Sequence, residues 1–319
     1  MKRREPMLPS GQGPVRRQPR HAAESRFVRV NGIQYHYVEH PGPGRDVVLL
    51  HGFASSAYTW EGVAPLLAAR GFRVLVPDMK GFGWSDKPAR GPYDALSLME
   101  EVLAWMRAVG VERAALAGNS LGGTVAALAA LIHPERVESL ILLNALMPYD
   151  IPYPFILRLA RAPMAPALAS RIITRGVIRR NLHQVFFDRR KVTADKVEAY
   201  WSRLCADNGL RAQALVARAL SPEPFLPYLS RVGEVRVPTL ALWGAHDRWI
   251  PLSFGLRMAR EANPESRFVV LDHCGHMPQE EKPRETARLM ARHLEGRKVQ
   301  EARMPPVGQT LEAEQLSVA

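Results

Sequence analysis

Cysteine is almost missing from this chain: two residues in 319, Cys205 and Cys274, lie far apart in sequence. Two thiols so placed give no disulfide framework, and a reducing cytoplasm is the expected setting. No secretory leader is expected either. Lys2, Arg3, Arg4, Arg16, Arg17 and Arg20 crowd the first 25 residues, but no apolar stretch follows them. Charge is missing from Ala114 to Ile132, a run long enough for a membrane helix. Gly118, Asn119, Ser120, Gly122 and Gly123 interrupt it, however, so a buried strand, turn and helix are expected. The pair His273 and His276 has no second ligand pair at a useful distance, so no metal is expected. No internal repeat is present. The formal charge of +12 comes without a nucleic-acid motif, so nucleic acid is not an expected partner.

What is present is core-forming material, 47% hydrophobic against 23% charged residues. Asn31-Gly32 between Phe27–Val30 and Ile33–Glu39 is a strong hairpin signal. Strands are then expected at Asp46–Leu50, Arg73–Val76, Arg113–Ala117, Val137–Leu143, Val237–Trp243 and Arg267–Leu271. Helices are expected at Glu61–Arg70, Leu96–Val109, Gly123–Ile132 and Arg284–Leu294. Strands alternating with helices predict an α/β fold, a mostly parallel sheet with helices on both faces.

Between 146 and 230 the pattern changes. Prolines crowd the entry (Pro148, Pro152, Pro154) and the exit (Pro222, Pro224, Pro227), and helical patterns fill the middle. The expected division is a disordered basic tail over 1–25, a core over 26–145 and 231–296, a helical cap over 146–230 and a disordered tail over 297–319. The cap carries a formal +7 and the first tail +4, leaving the core nearly neutral. Arg171, Arg175 and Arg179 recur every four residues, with Ile173 and Val177 on another face. A solvated cap helix is the preferred reading; weak contact with an anionic membrane surface is the other.

Chemistry concentrates in Gly118-Asn119-Ser120-Leu121-Gly122, a G-x-S-x-G pentapeptide between an apolar strand and a helix of small residues. A serine in such a turn stands clear of the sheet, beside the positive end of the new helix. Four further segments stand in order around it: His51-Gly52-Phe53, Asp78 to Ser85, Trp243 to Asp247, and Gly275-His276 with Pro278 and Glu281. With these motifs the chain resembles the α/β-hydrolase family over roughly residues 26–295, in its capped, serine-dependent branch.

The resemblance implies Ser120 as nucleophile, His276 as base and Asp247 as the acid that orients it. It implies an oxyanion hole from the backbone N–H groups of Phe53 and Leu121. Asn144 stands at the family's other acid position, where an amide cannot stabilise an imidazolium, and Asp150 is a fallback. His51 reads as a strut of its loop, and Asp78 and Ser85 as holders of a turn. Trp84 and Asn119 are expected to touch substrate. Trp60, Phe155, Phe186 and Phe187 are candidates to line an acyl pocket.

Several functions share this equipment. A carboxylic-ester hydrolase acting on small, medium or lipid-like esters asks nothing beyond the triad and oxyanion hole. Gly118-Asn119-Ser120 before Gly122-Gly123 is similar to carbon–carbon hydrolases of aromatic ring cleavage, but those carry tryptophan where Met277 stands. A perhydrolase or acyltransferase would use the same acyl-enzyme, and a non-enzymatic ligand-binding scaffold is the remaining class. None of the serine readings calls for a cofactor.

Overall fold

The computed structural model describes residues 25–145, 173–220, 226–229, 231–261 and 263–297. Both expected tails, Asp150, Phe155 and Arg171 lie outside the described residues, apart from Ser25 and Arg297. Eight strands form one sheet: β1 (Ser25–Val30), β2 (Ile33–His40), β3 (Asp46–Leu50), β4 (Arg73–Pro77), β5 (Ala114–Asn119), β6 (Val137–Leu143), β7 (Thr239–Gly244) and β8 (Arg267–Leu271). Their spatial order is β1-β2-β4-β3-β5-β6-β7-β8. The two pairs made by β2 are antiparallel and the remaining pairs parallel. Asn31 and Gly32 take φ of 49° and 79° in the β1–β2 turn, the positive pair that a tight hairpin demands.

Side-chain alternation explains why these strands read as continuous apolar runs. Val48, Leu50, Leu116, Leu140, Leu142 and Trp243 enter one core layer, whereas Val47, Leu49, Ala117, Ile141, Leu143 and Leu242 enter the other. The first layer is covered by α2 (Ala95–Ala108) and α3 (Leu121–Ile132), the second by α1 (Ala64–Ala68) and, near the C-terminus, Pro283–Leu294. Burying each large aliphatic side chain stabilises the fold by about 1.5–3 kcal/mol, so the two-faced pattern outweighs local propensity. The expected Glu61–Arg70 helix is shorter, confined to Ala64–Ala68 after a 3₁₀ turn at Ala57–Trp60.

Between β6 and β7 lie α4 (Arg175–Val185), α5 (Ala194–Cys205), α6 (Gly209–Ala219) and the short α7 (Leu226–Leu229). Thr174 and Thr193 cap α4 and α5 by accepting from Val177 N and Lys196 N. The buried face of α4 is Ile178, Leu182 and Val185; Val177 is half-buried, and Ile173, just before the helix, packs partly buried against the same cluster. Arg175 pairs with Glu198 at 2.6 Å and lies over the Trp201 ring, so the basic stripe is partly spent inside the insertion. Helices α8 (Leu252–Glu261), α9 (Pro278–Glu281) and α10 (Pro283–Leu294) complete the fold. No helix among the described residues is long and apolar enough to cross a membrane.

At the sheet end away from Ser120, the His293 ring of α10 is buried and its Nε2 is hydrogen-bonded to Ser139 Oγ at 2.8 Å. Burial, reinforced by Arg267, pushes His293 down to about 4 from its ordinary 6.5. The unfolded chain therefore binds the extra proton first, and His293 contributes stability that is full above pH 6.5 and lost as pH falls toward 4, about 3 kcal/mol in all. An NMR titration should place the His293 midpoint near 4; a midpoint at or above 6.5 contradicts burial as the cause.

Candidate active site

Ser120 sits between the end of β5 and the first residue of α3 with φ 53° and ψ −120°. That region is strained for any residue with a side chain, and non-glycine outliers of this kind cost about 1–3 kcal/mol. The surroundings enforce it. A side chain on Gly118 would collide with the Gly122 carbonyl group, and one on Gly122 with the carbonyl oxygens of Leu50 and His51. Only glycine lets strand and helix close this tightly around the serine. Ser120 N donates to Leu143 O at 3.0 Å, so the turn is also fastened to β6.

The acid and the imidazole meet across the ends of β7 and β8. His276 Nδ1–H donates to Asp247 Oδ2 at 2.7 Å, leaving Nε2 of the neutral ring with a free lone pair. Asp247 Oδ1 accepts Trp249 N at 2.7 Å and Ile250 N at 3.0 Å. Oδ2 also accepts Asn144 Nδ2 at 2.7 Å, while Asn144 Oδ1 accepts Gly244 N at 3.1 Å. The carboxylate is therefore fixed by four donors. Asn144, at the alternative acid position, is a hydrogen-bond partner of Asp247. Its own φ of 42° marks a second bent strand end.

Asn119 ties the elbow to the histidine loop: its Nδ2 donates to Leu143 O at 3.1 Å and to His276 O at 3.0 Å. With the amide so committed, Oδ1 is fixed as an acceptor and has no hydrogen-bond partner among the described residues. His51 holds the opposing loop. Its Nδ1–H donates to Gly52 O at 2.9 Å and its Nε2 accepts Met79 N at 3.0 Å. Because C=O and N–H point oppositely across a trans peptide, holding Gly52 O turns the Phe53 N–H the other way. Among the described residues no acceptor takes the N–H of Phe53 or Leu121. The loop lies so close to the elbow that a Cβ on Gly52 would stand 3.1 Å from Ser120 Cβ.

Ser120 and His276 line one pocket, with about 680 Å³ of empty space counting the solvent at its mouth. Its apolar walls include Phe53, Ile178, Leu182, Val185, Trp249 and Met277, and Asn119 also faces it. Trp84 does not line it; that half-buried residue donates its N–H to Asp78 at 2.8 Å in the turn behind. Trp60 and Phe186 are buried in core clusters, and Phe187 is exposed. Trp249 and Tyr200 are lining residues that sequence reasoning missed. Trp249 had a signal, two positions past Asp247 in the acid turn, with its ring 5.6 Å from that of His276. His273 is exposed and pairs with Asp272, and Asp78 and Ser85 hold their turn through Ala57 N, Trp84 N and His36. No three-residue metal-binding group occurs among the described residues.

Asn144→Asp would set a second carboxylate against Asp247, and like charges at hydrogen-bond distance resist joint ionisation. Thermal unfolding should show a larger loss of stability at about pH 8 than at about pH 5, where one proton can be shared. An equal loss at both would contradict the contact.

A family profile described as alpha/beta hydrolase fold matches residues 47–283. A 2-hydroxy-6-oxo-6-phenylhexa-2,4-dienoate hydrolase of Burkholderia cepacia is 29% identical, over 80% of this chain and 91% of its own length. Among solved structures, a meta-cleavage product hydrolase from Pseudomonas fluorescens IP01 is 26% identical with TM-score 0.69, covering 85% of this chain and 97% of that one. A bacterial membrane phospholipase A is 28% identical with TM-score 0.66, covering 86% of each chain. Profile, sheet order and elbow agree: the chain belongs to the α/β-hydrolase fold family.

Proposed function

We propose that the protein is a serine hydrolase that cleaves carboxylic esters with an uncharged, apolar acyl group. The observation that carries this reading is the lining of the pocket at Ser120. Among the described lining residues none is Lys, Arg, Asp or Glu, and most are aliphatic or aromatic. An ionised acyl group would lose its hydration there without a counter-charge, whereas an apolar one gains about 25 cal/mol per Å² buried.

The hydrogen-bonded pair His276–Asp247 serves as the base for Ser120 in the same pocket. His276 Nε2 takes the Ser120 hydroxyl proton as Oγ attacks the ester carbonyl, and Asp247 stabilises the imidazolium through Nδ1–H. The tetrahedral oxyanion is met by the N–H groups of Phe53 and Leu121, each worth about 10²–10³ in rate. The imidazolium then protonates the departing alcohol, leaving an acyl-Ser120 ester. Water, deprotonated by His276, attacks that ester and releases the acid. Helices α4 and α5 act as a cap, since Ile178, Leu182, Tyr200 and Leu204 close the pocket from above.

Carbon–carbon hydrolysis is the second reading, and the orphaned Asn119 Oδ1 favours it. A hydroxyl such as the one in the substrate named for the Burkholderia relative would satisfy that acceptor. Against it stands the carboxylate of the same substrate, which meets no cation among the described lining residues.

The two separate in one experiment: kcat/KM for p-nitrophenyl esters from acetate to decanoate, beside 2-hydroxy-6-oxo-6-phenylhexa-2,4-dienoate, for wild type and Ser120→Ala. Esters of intermediate chain should be the better substrates, and Ser120→Ala should lose about 10³-fold or more. Preferential Ser120-dependent cleavage of the dienoate would replace the first reading with the second. Unchanged ester turnover in Ser120→Ala would remove both.

A further inference from the structure

Immediately after the histidine loop, α9 presents two successive glutamates, and each grips a different inserted helix. Glu280 accepts the Thr59 hydroxyl at 2.7 Å and the Tyr200 hydroxyl, and pairs with Lys196 of α5. Glu281 faces the other way. Its Oε1 accepts Gly275 N at 2.8 Å; its Oε2 accepts Phe187 N at 2.7 Å and Asp188 N at 3.4 Å, just past α4. Between these anchors, His276 N donates to Val185 O, the last residue of α4, at 2.7 Å. Gly275 is pressed so closely into the junction that a side chain there would strike Val185 O, Phe187 N and Glu281 Oε1.

Glu281 is only 2% exposed, and among the described residues no Lys or Arg pairs with its carboxylate. Burial raises its pKa, while the backbone N–H groups of Gly275, Phe187 and Asp188 oppose that rise. Burying a carboxylate is costly unless its lone pairs are used. Here three converging N–H donors need a group with two acceptor oxygens and no hydrogen of its own, which an ionised glutamate provides and a glutamine does not.

We infer that Glu281 is a positioning residue for His276, holding the histidine loop in register with the end of α4. The same junction carries Leu182 and Val185, which line the pocket, and Met277, which packs in the insertion's own apolar cluster. The position of the imidazole is thereby tied to the helices over the pocket. This inference rests on the reading of Ser120 and His276 as nucleophile and base.

The test is the kinetics of irreversible labelling by an alkyl organophosphonate, separating the limiting rate from the half-saturating concentration. In Glu281→Gln one oxygen becomes an amide that meets an N–H head-on. The limiting rate should fall about tenfold or more, with half-saturation within about threefold, because the acyl pocket keeps its lining. Phe187→Pro deletes one donor while leaving Glu281 in place, and the preceding Phe186 is already extended (φ −91°, ψ 136°). It should lower the limiting rate several-fold, and it decides the matter should the glutamine variant not fold. Limiting rates within twofold of wild type in the folded variants would overturn the inference. Wild type that is not labelled at Ser120 would instead remove the reading beneath it.

Discussion

Ser120 is held at φ 53° in a turn where two glycines admit no side chain, and the rest of the site is arranged around that constraint. A serine in this conformation is costly by itself. It persists because strand β5 is buried between its neighbours and α3 packs against both β5 and β6. The sheet therefore supplies the energy that keeps a hydroxyl raised at its edge. Helix α3 begins at the next residue, so its first unsatisfied N–H groups and positive end share the position where negative charge would develop.

Around the elbow, the site is assembled by hydrogen bonds that cross between loops. Asn119 joins the elbow to the histidine loop, Asn144 joins the end of β6 to Asp247, and His51 orients the Gly52–Phe53 peptide. Each of these polar side chains is buried. A buried group left without its partner costs about 1–3 kcal/mol, so such networks lock one geometry. Glu281 extends the same principle to the insertion, where backbone donors from two segments converge on one carboxylate. The walls of the pocket that these bonds frame are apolar and uncharged among the described residues.

Much of this was legible in the residues. Ser120, Asp247 and His276 sit at turns whose glycines and strand ends carry their own signals, and β6 and β8 were bounded correctly because their apolar runs stop at polar residues. Helix α8 was missed: its apolar residues are interspersed with polar ones, Leu256 and Met258 being buried with Gly255 while Leu252 and Phe254 pack partly buried against the core. Pocket walls were harder still. Trp60, Trp84 and Trp249 are indistinguishable by type, and only the fold sends Trp249 toward His276 and Trp60 into the core. Roles such as that of Glu281 depend on contacts across 94 residues of chain, which no local pattern encodes.

The central claim is that Ser120 carries the acyl group between two half-reactions. Acid-quenching the protein within its first turnovers on an activated aryl ester, followed by peptide mass mapping, tests it most directly. The account predicts an acyl increment on the peptide containing Ser120, and none in Ser120→Ala. An increment on another residue, or product formed with no increment at all, would contradict it.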